Sequence, residues 1–249
     1  MMKDSPVKIA LVTGGNKGIG FEVARQLAAS GCTVLLGARN RALGEDAAEK
    51  LKAEGPDLDL DVRYLALDIA DYARIAAAAA AIAAGFGHLD ILVNNAGIND
   101  PADGAPSTAG LDAIERVFRI NFLGSVAVAQ AMLPLLRKSV SGRIVNVSSG
   151  LGSLTQNGDP NYSGAATKLL GYSASKAALN MFTVQLAYEL RDTPIKVNSV
   201  DPGYTATDLN GHRGHQTIPE GAAEAIRVAL LPDDSPTGTY SDRKGIVPW

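Results

Sequence analysis

Tyr172 and Lys176 stand four residues apart in the run Tyr-Ser-Ala-Ser-Lys, a spacing that puts both on one face of a helix. A free phenol, with a pKa of about 10, holds its proton too tightly for ready exchange at neutral pH, and a nearby ammonium lowers that value by stabilising the phenolate. The pair therefore suits reversible proton transfer to and from a substrate oxygen. A lone Tyr–Lys pair at this spacing is also common on solvated helix surfaces, so its meaning depends on its surroundings. Ser149 closes the apolar run Gly-Arg-Ile-Val-Asn-Val-Ser-Ser. A hydroxyl at such a strand end can hydrogen-bond a substrate oxygen as charge builds on it. Ser148, pointing to the other strand face, is the alternative.

A second group lies near the N-terminus, where Thr13-Gly14-Gly15-Asn16-Lys17-Gly18-Ile19-Gly20 follows an apolar run and precedes the helical pattern FEVARQLAAS. Strand, glycine turn and helix start come in the order a dinucleotide site needs. A tight turn must form, and the backbone must approach a pyrophosphate held at the helix N-terminus, which calls for Gly14, Gly18 and Gly20. The spacing is G-x-x-x-G-x-G rather than G-x-G-x-x-G, and a glycine cluster alone also makes a plain strand-to-helix turn. The second apolar run ends in Gly37-Ala38-Arg39-Asn40-Arg41, with no carboxylate before Glu45. An acidic residue there would bind the adenosine ribose of NAD, whereas Arg39 can pair with a 2′-phosphate and Lys17 adds a second cation. NADP(H) is expected over NAD(H); solvated surface charges are the plainer account of Arg39 and Lys17.

These residues need a scaffold that gathers strand ends. The runs VKIALVTG, TVLLGAR, DVRYLALD, LDILVNNAG, GRIVNVSS and IKVNSVDPG are nearly all apolar, as buried parallel strands are. Helical patterns lie between them at about 19–30, 41–54, 71–84, 110–137 and 172–191, with another near 219–230. Regular alternation predicts an α/β fold, a Rossmann-like doubly wound parallel sheet with helices on both faces, as one dinucleotide-binding catalytic domain over 1–249. Pro134 should kink the fourth helix or mark its last turns. The alanine run at 76–81 reads as plain helix.

Composition excludes several classes. A net charge of −3 with scattered basic residues carries no footprint for nucleic acid. Cys32, the only cysteine, permits no intrachain disulfide and no cysteine-based metal cluster, in keeping with a reducing cytoplasm. It reads as a small apolar strand residue. The N-terminal run lacks the form of a signal peptide, and 75–87 is too short to span a bilayer, so no membrane partner is expected. No glycine stands two residues before Ser148 or Ser149, which disfavours a serine hydrolase. His88, His212 and His215 read as solvated, and no metal site is expected.

Over essentially its whole length the chain resembles the short-chain dehydrogenase/reductase family, in its compact branch. The resemblance rests on Thr13 to Gly20, Asp68, Asn94-Asn95-Ala96-Gly97, Asn121, Ser149, Tyr172 to Lys176 and Pro202-Gly203, in that order. It is similar to the NADPH-preferring carbonyl reductases in its Asn-Lys-Gly-Ile-Gly loop, its Ala-Arg after the second strand and its Leu-Asp-Ile. The resemblance implies a tetrad of Asn121, Ser149, Tyr172 and Lys176, with Asn121 holding a water that relays protons to the lysine. It also implies that Lys176 binds the nicotinamide ribose. The implied cofactor set is Gly14, Asn16, Lys17, Gly18, Ile19, Gly20, Arg39, Asp68 at the adenine with Ile69 beside it, Asn95, Ala96, Gly97, Tyr172, Lys176, Pro202, Gly203, Thr205 and Thr207.

One departure stands out: Ser149 and Tyr172 are about ten residues farther apart than is usual in that branch. Tyr162 has the usual distance from Ser149, but Lys168 is six residues on and leaves its helical face, so Tyr162 is rejected as the proton donor. The extra stretch, roughly Thr155 to Leu170, should shape the substrate mouth. It leaves homodimer, homotetramer and monomer all open. The expected activity is NADPH-dependent reduction of a small-molecule aldehyde, ketone or quinone, or the reverse oxidation of an alcohol. The alternatives are a non-catalytic NADP(H)-binding redox regulator and a sugar-nucleotide epimerase or dehydratase, the latter short of sequence after Pro202 for a substrate lobe. Thr205 to Pro219 is expected to act as a mobile lid.

Overall fold

The computed structural model describes residues 7–54 and 60–249. Along the chain come β1 (Ile9–Thr13), α1 (Gly18–Ala29), β2 (Thr33–Ala38), α2 (Arg41–Glu54), β3 (Val62–Ala66), α3 (Tyr72–Phe86) and β4 (Ile91–Asn94). Then follow α4 (Leu111–Phe118), α5 (Ser125–Leu136), β5 (Arg143–Val147), α6 (Leu154–Gly158), α7 (Leu170–Glu189), β6 (Lys196–Val200), α8 (Ile218–Ala229), β7 (Tyr240–Asp242) and β8 (Gly245–Ile246). All eight strands share one sheet, ordered β3-β2-β1-β4-β5-β6-β7-β8, parallel except for the last pair.

The side-chain period of two explains the layering. Ala10 and Val12 of β1, with Val34 and Leu36 of β2, pack on one face against Val23, Ala24 and Leu27 of α1, Ala47 and Leu51 of α2, and Ala225 and Val228 of α8. Ile9 and Leu11, with Leu35 and Leu92, face the other way onto Ile75 and Ile82 of α3, Met132 and Leu136 of α5, and Leu186 of α7. Both faces of β1 are therefore buried, which is why its sequence runs apolar without alternation. Cys32, just before β2, is buried and unpaired.

The order reverses between β1, whose other neighbour is β2, and β4, whose other neighbour is β5. The crevice at the carboxyl ends of β1 and β4 is thus the topological switch point, where ligands bind in open α/β sheets.

Two features depart from the sequence expectation, while Pro134 marks the last turn of its helix as anticipated. The pattern at 110–137 is interrupted by a π-helical turn, Arg119–Gly124, between α4 and α5. Pro134 sits in the last turn of α5, which continues to Leu136. The stretch 111–136 is long and apolar enough by length and composition to cross a membrane, yet Val117, Val128, Met132 and Leu136 lie in the core. Finally, β7 and β8 extend the sheet beyond the six anticipated strands. They are too short for a periodic signal, and β7 gains its partner only through register with β6, Ser199 opposite Tyr240. Trp249 stacks on Tyr240 with ring centroids 5.4 Å apart. Its carbonyl accepts from Thr155 N at 3.0 Å, and the carbonyl of Pro248 accepts from Ser153 Oγ at 2.6 Å. The end of the described chain thus holds α6 in place.

Candidate active site

At the end of β1 the chain turns through Gly14 and Gly18, both left-handed with φ of +64° and +57°, a conformation that strains any residue with a Cβ. Gly20 is required for closeness instead, since a Cβ there would lie 2.5 Å from the carbonyl oxygen of Gly14. Asn95 secures this turn from the next strand over: its Nδ2 donates to Thr13 O at 2.9 Å, and Thr13 Oγ1 accepts from the amides of Asn95 and Ala96, each at 3.0 Å. No side chain caps α1, whose N-cap is Lys17. Its first N–H groups are thus available to an anion, the arrangement that holds a pyrophosphate. Asn16 lies in the turn, and Ile19 packs against the core. The glycine turn and uncapped helix fit a dinucleotide.

Arg39 projects into solvent at the end of β2, without an ion-pair partner among the described residues. Lys17 Nζ meets Asp208 Oδ2 at 2.7 Å in an exposed pair. Asp68 Oδ1 accepts from Ala70 N at 3.0 Å. Ile69 is buried, and its carbonyl oxygen would stand 2.8 Å from a Cβ on Gly124, so that glycine lets the π-helical turn approach the end of β3. After β6, Gly203 adopts φ +69°, and Thr205 Oγ1 donates to the carbonyl of Pro202 at 3.0 Å. The expected lid at 205–219 is a tied loop in this structure: Thr205 bridges to Gln216, and Asp208–Asn210 forms a short 3-10 turn. Thr207 lies over the glycine turn, its Cγ2 3.7 Å from where a Gly18 Cβ would be.

The four residues expected to do chemistry converge beside this crevice. Asn121 occupies the π-helical turn, a device frequent at functional sites. Its Oδ1 accepts from Ile98 N at 2.8 Å, while its Nδ2 donates to Ile98 O at 3.0 Å and Ser175 Oγ at 3.1 Å. A poor helix former is tolerated here because its side chain is fully bonded. Gly97 completes the junction, since a Cβ on it would stand 3.3 Å from Asn121 Oδ1 and 3.6 Å from Lys176 Nζ.

Helix α7 has no cap of its own, and Asp103 supplies one from a distant loop. Its carboxylate accepts from Gly171 N at 2.9 Å and Tyr172 N at 2.8 Å. Tyr172 and Lys176 then share the inward face, with Lys176 Nζ 5.7 Å from the Tyr172 ring centroid. Ser149 begins a short 3-10 turn and accepts from Leu151 N at 3.2 Å, and its hydroxyl lies close enough to Tyr172 to favour the phenolate. Ser148 is turned away and buried, its Oγ 3.4 Å from the Lys176 carbonyl. The structure thus brings Ser149, not Ser148, to the phenol.

The electrostatics differ from the simple expectation. Burial pushes the Tyr172 phenol up to about 12, the nearby Ser149 hydroxyl opposing it and the Asp201 carboxylate reinforcing it. Lys176 does not lower the phenol here. Its ammonium donates to Val147 O at 2.8 Å, and burial pulls its own pKa down to about 8 against the attraction of Asp201. In this enclosed geometry desolvation outweighs the pairwise charge effect.

Sequence reasoning overlooked Asp103, Asp201 and the position of Tyr162. Tyr162 brings its hydroxyl over Gly150 on the side of Asp201, so the inserted stretch contributes a phenol to the wall of the site. The lysine near the site remains Lys176, on the helix of Tyr172. Only the Asx-Pro-Gly sequence after β6 could have drawn notice to Asp201.

Residues 8–217 match the family model for short chain dehydrogenase, and the chain belongs to that family. It is 34% identical to a (+)-neomenthol dehydrogenase from Arabidopsis thaliana, the match covering 99% of each chain. Salutaridine reductase from Papaver somniferum superposes with a TM-score of 0.81 at 31% identity, covering 95% of this chain and 99% of that one. An NADPH-bound carbonyl reductase from chicken fatty liver does so with 0.84 at 28% identity, covering 98% and 100%.

Proposed function

We propose that the chain is an NADPH-dependent reductase of a small-molecule aldehyde, ketone or quinone, able to run in reverse as an alcohol dehydrogenase. The observation that carries this is the Tyr172 phenol, with Ser149 close by and Lys176 Nζ 5.7 Å from its ring centroid, beside an uncapped helix and a glycine turn. Support also comes from relatives described as dehydrogenases and reductases, one of them NADPH-bound.

NADPH, when bound, supplies the hydride that the carbonyl carbon accepts. Ser149 and Tyr172 hold the carbonyl oxygen by hydrogen bonds. Tyr172, whose raised pKa keeps it protonated at neutral pH, gives that oxygen its proton. Lys176 then faces the phenolate, and Asn121 keeps Ile98 and Ser175 in place behind it. Arg39 and Lys17 are the cations assigned to the 2′-phosphate. The lone buried Cys32 agrees with a reducing, cytoplasmic setting.

Cofactor fluorescence titration tests the first step without a known substrate. NADPH should bind more tightly than NADH, and Arg39→Ala should reduce that preference. Failure to bind either cofactor refutes the enzyme reading, while preference for NADH refutes the roles of Arg39 and Lys17. With a carbonyl panel, Tyr172→Phe should lose on the order of 10²-fold or more in kcat and keep NADPH binding; normal turnover in that variant sinks the assignment. A non-catalytic regulator would bind NADPH and turn over nothing, and the intact Ser149, Tyr172 and Lys176 weigh against it.

A further inference from the structure

We propose that Asp201 is a positioning residue, its carboxylate packing against the Ser149 turn and bonding the Pro202-Gly203 loop while facing Lys176 as the site's built-in counter-ion. This rests on the reductase reading above and adds a residue to it.

Strand register sets the arrangement. Val147 pairs with Val200, and Ser148 N donates to Val200 O at 2.8 Å. The residues that follow, Ser148 then Ser149 after β5 and Asp201 after β6, therefore meet at the carboxyl edge. One carboxylate oxygen, Oδ1, accepts from Gly203 N at 2.9 Å. The other, Oδ2, lies 2.9 Å from the point a Gly150 Cβ would occupy, and the nearby Gly150 amide favours the charged carboxylate. Asp201 thus packs against the residue after Ser149 while bonding the loop assigned to the nicotinamide. Its own amide is fixed by Ser241 O at 2.8 Å, so the carboxylate has little freedom to swing away.

The groups facing it come from three elements. Lys176 and Tyr172 lie on α7, Tyr162 on the inserted stretch, and Tyr240 and Asp242 on β7. Lys176 is the one cation among them, and its Nζ donates to Val147 O, next to the strand end that Asp201 prolongs. A negative charge here favours the Lys176 ammonium and disfavours ionisation of the three phenols. Burial raises the Asp201 pKa, the like charge of Asp242 adding to it, while the amides of Gly203 and Gly150 and the charge of Lys176 oppose this.

The test uses the cofactor-free full chain labelled with [¹³Cε]lysine, the Lys176 resonance being assigned by its loss in Lys176→Arg. In the wild type this resonance should titrate near the value of about 8. In Asp201→Asn the midpoint should fall by about one pH unit, as expected when an opposite charge is removed from a desolvated pair. Asp201→Ser, also neutral but smaller, should fall in the same direction. The alkaline limb of kcat/KM for carbonyl reduction should move to lower pH in step. An unmoved midpoint in either variant that still binds NADPH overturns the proposal, because a purely structural role would lower turnover at every pH without shifting the limb. Because the titration is read on the cofactor-free chain, a midpoint unmoved in both variants overturns it whether or not NADPH still binds. Because the titration needs no turnover, a wild type inactive on every carbonyl would refute the reductase reading while leaving the Asp201–Lys176 result to stand or fall separately.

Discussion

Replacing Lys176 by Met should abolish turnover and stabilise the cofactor-free protein. The ammonium is enclosed, and its pKa falls from 10.5 to about 8 with the attraction of Asp201 already included. At about 1.36 kcal/mol per pH unit, that depression means the folded state bears roughly 3 kcal/mol for holding the charged form at neutral pH. Met keeps the apolar stem and gives up the bond to Val147 O, a loss of about 1.5 kcal/mol. The net gain is roughly 1.5 kcal/mol, or about 3–6 °C in Tm for a chain of this size. The sign follows from linkage. Below pH 8 folded and unfolded chains both carry the proton, and the folded chain bears the whole cost. Between about 8 and 10.5 the folded chain releases the proton first and the cost fades; above that range it is gone. Calorimetry at pH 7 and pH 10 should therefore show the advantage of Lys176→Met shrinking with pH. A variant equal to or less stable than the wild type at pH 7 would refute the claim that desolvation dominates this site.

Three further outcomes follow from the geometry. Gly20→Ala drives a Cβ into Asn95 and the Gly14 backbone and should cost about 1–3 kcal/mol in chemical denaturation, with NADPH binding lost in the same protein. Asp103→Ala uncaps α7 at the residue that carries the phenol; a loss of about 1–2 kcal/mol should appear in denaturation together with a lowered kcat. Asp208→Ala frees Lys17 from an exposed ion pair, which should leave the denaturation midpoint unchanged and tighten NADPH relative to NADH in fluorescence titration.

Local patterns made most of the strand and helix order legible. β1 and β4 announce themselves as unbroken apolar runs because both their faces are buried, and the glycine turn is readable because Gly14 and Gly18 need positive φ. The spacing of Tyr172 and Lys176 was readable for the same reason, being a property of one helix. What escaped depends on contacts between distant segments. Asp103 looks like any loop aspartate until α7 starts against it, and β7 is three residues long with no period of its own. The sequence-level expectation that Lys176 lowers the Tyr172 pKa considered the two charges and not their burial. The π-helical turn at Asn121 leaves no mark on hydrophobic spacing, since α4 and α5 continue the same apolar side around it.

Trp249 is the only tryptophan in the sequence, and it stacks on Tyr240 while its backbone holds the start of α6. Intrinsic emission excited at the indole band is therefore a local reporter. It samples the wall built by the inserted stretch, within the same β7 neighbourhood that Asp201 faces, and not the distant α2–β3 edge. Occupancy of the substrate mouth should be visible in the emission of the unlabelled wild-type protein, and a quench or blue shift on adding a candidate carbonyl would rank ligands before any product has been identified.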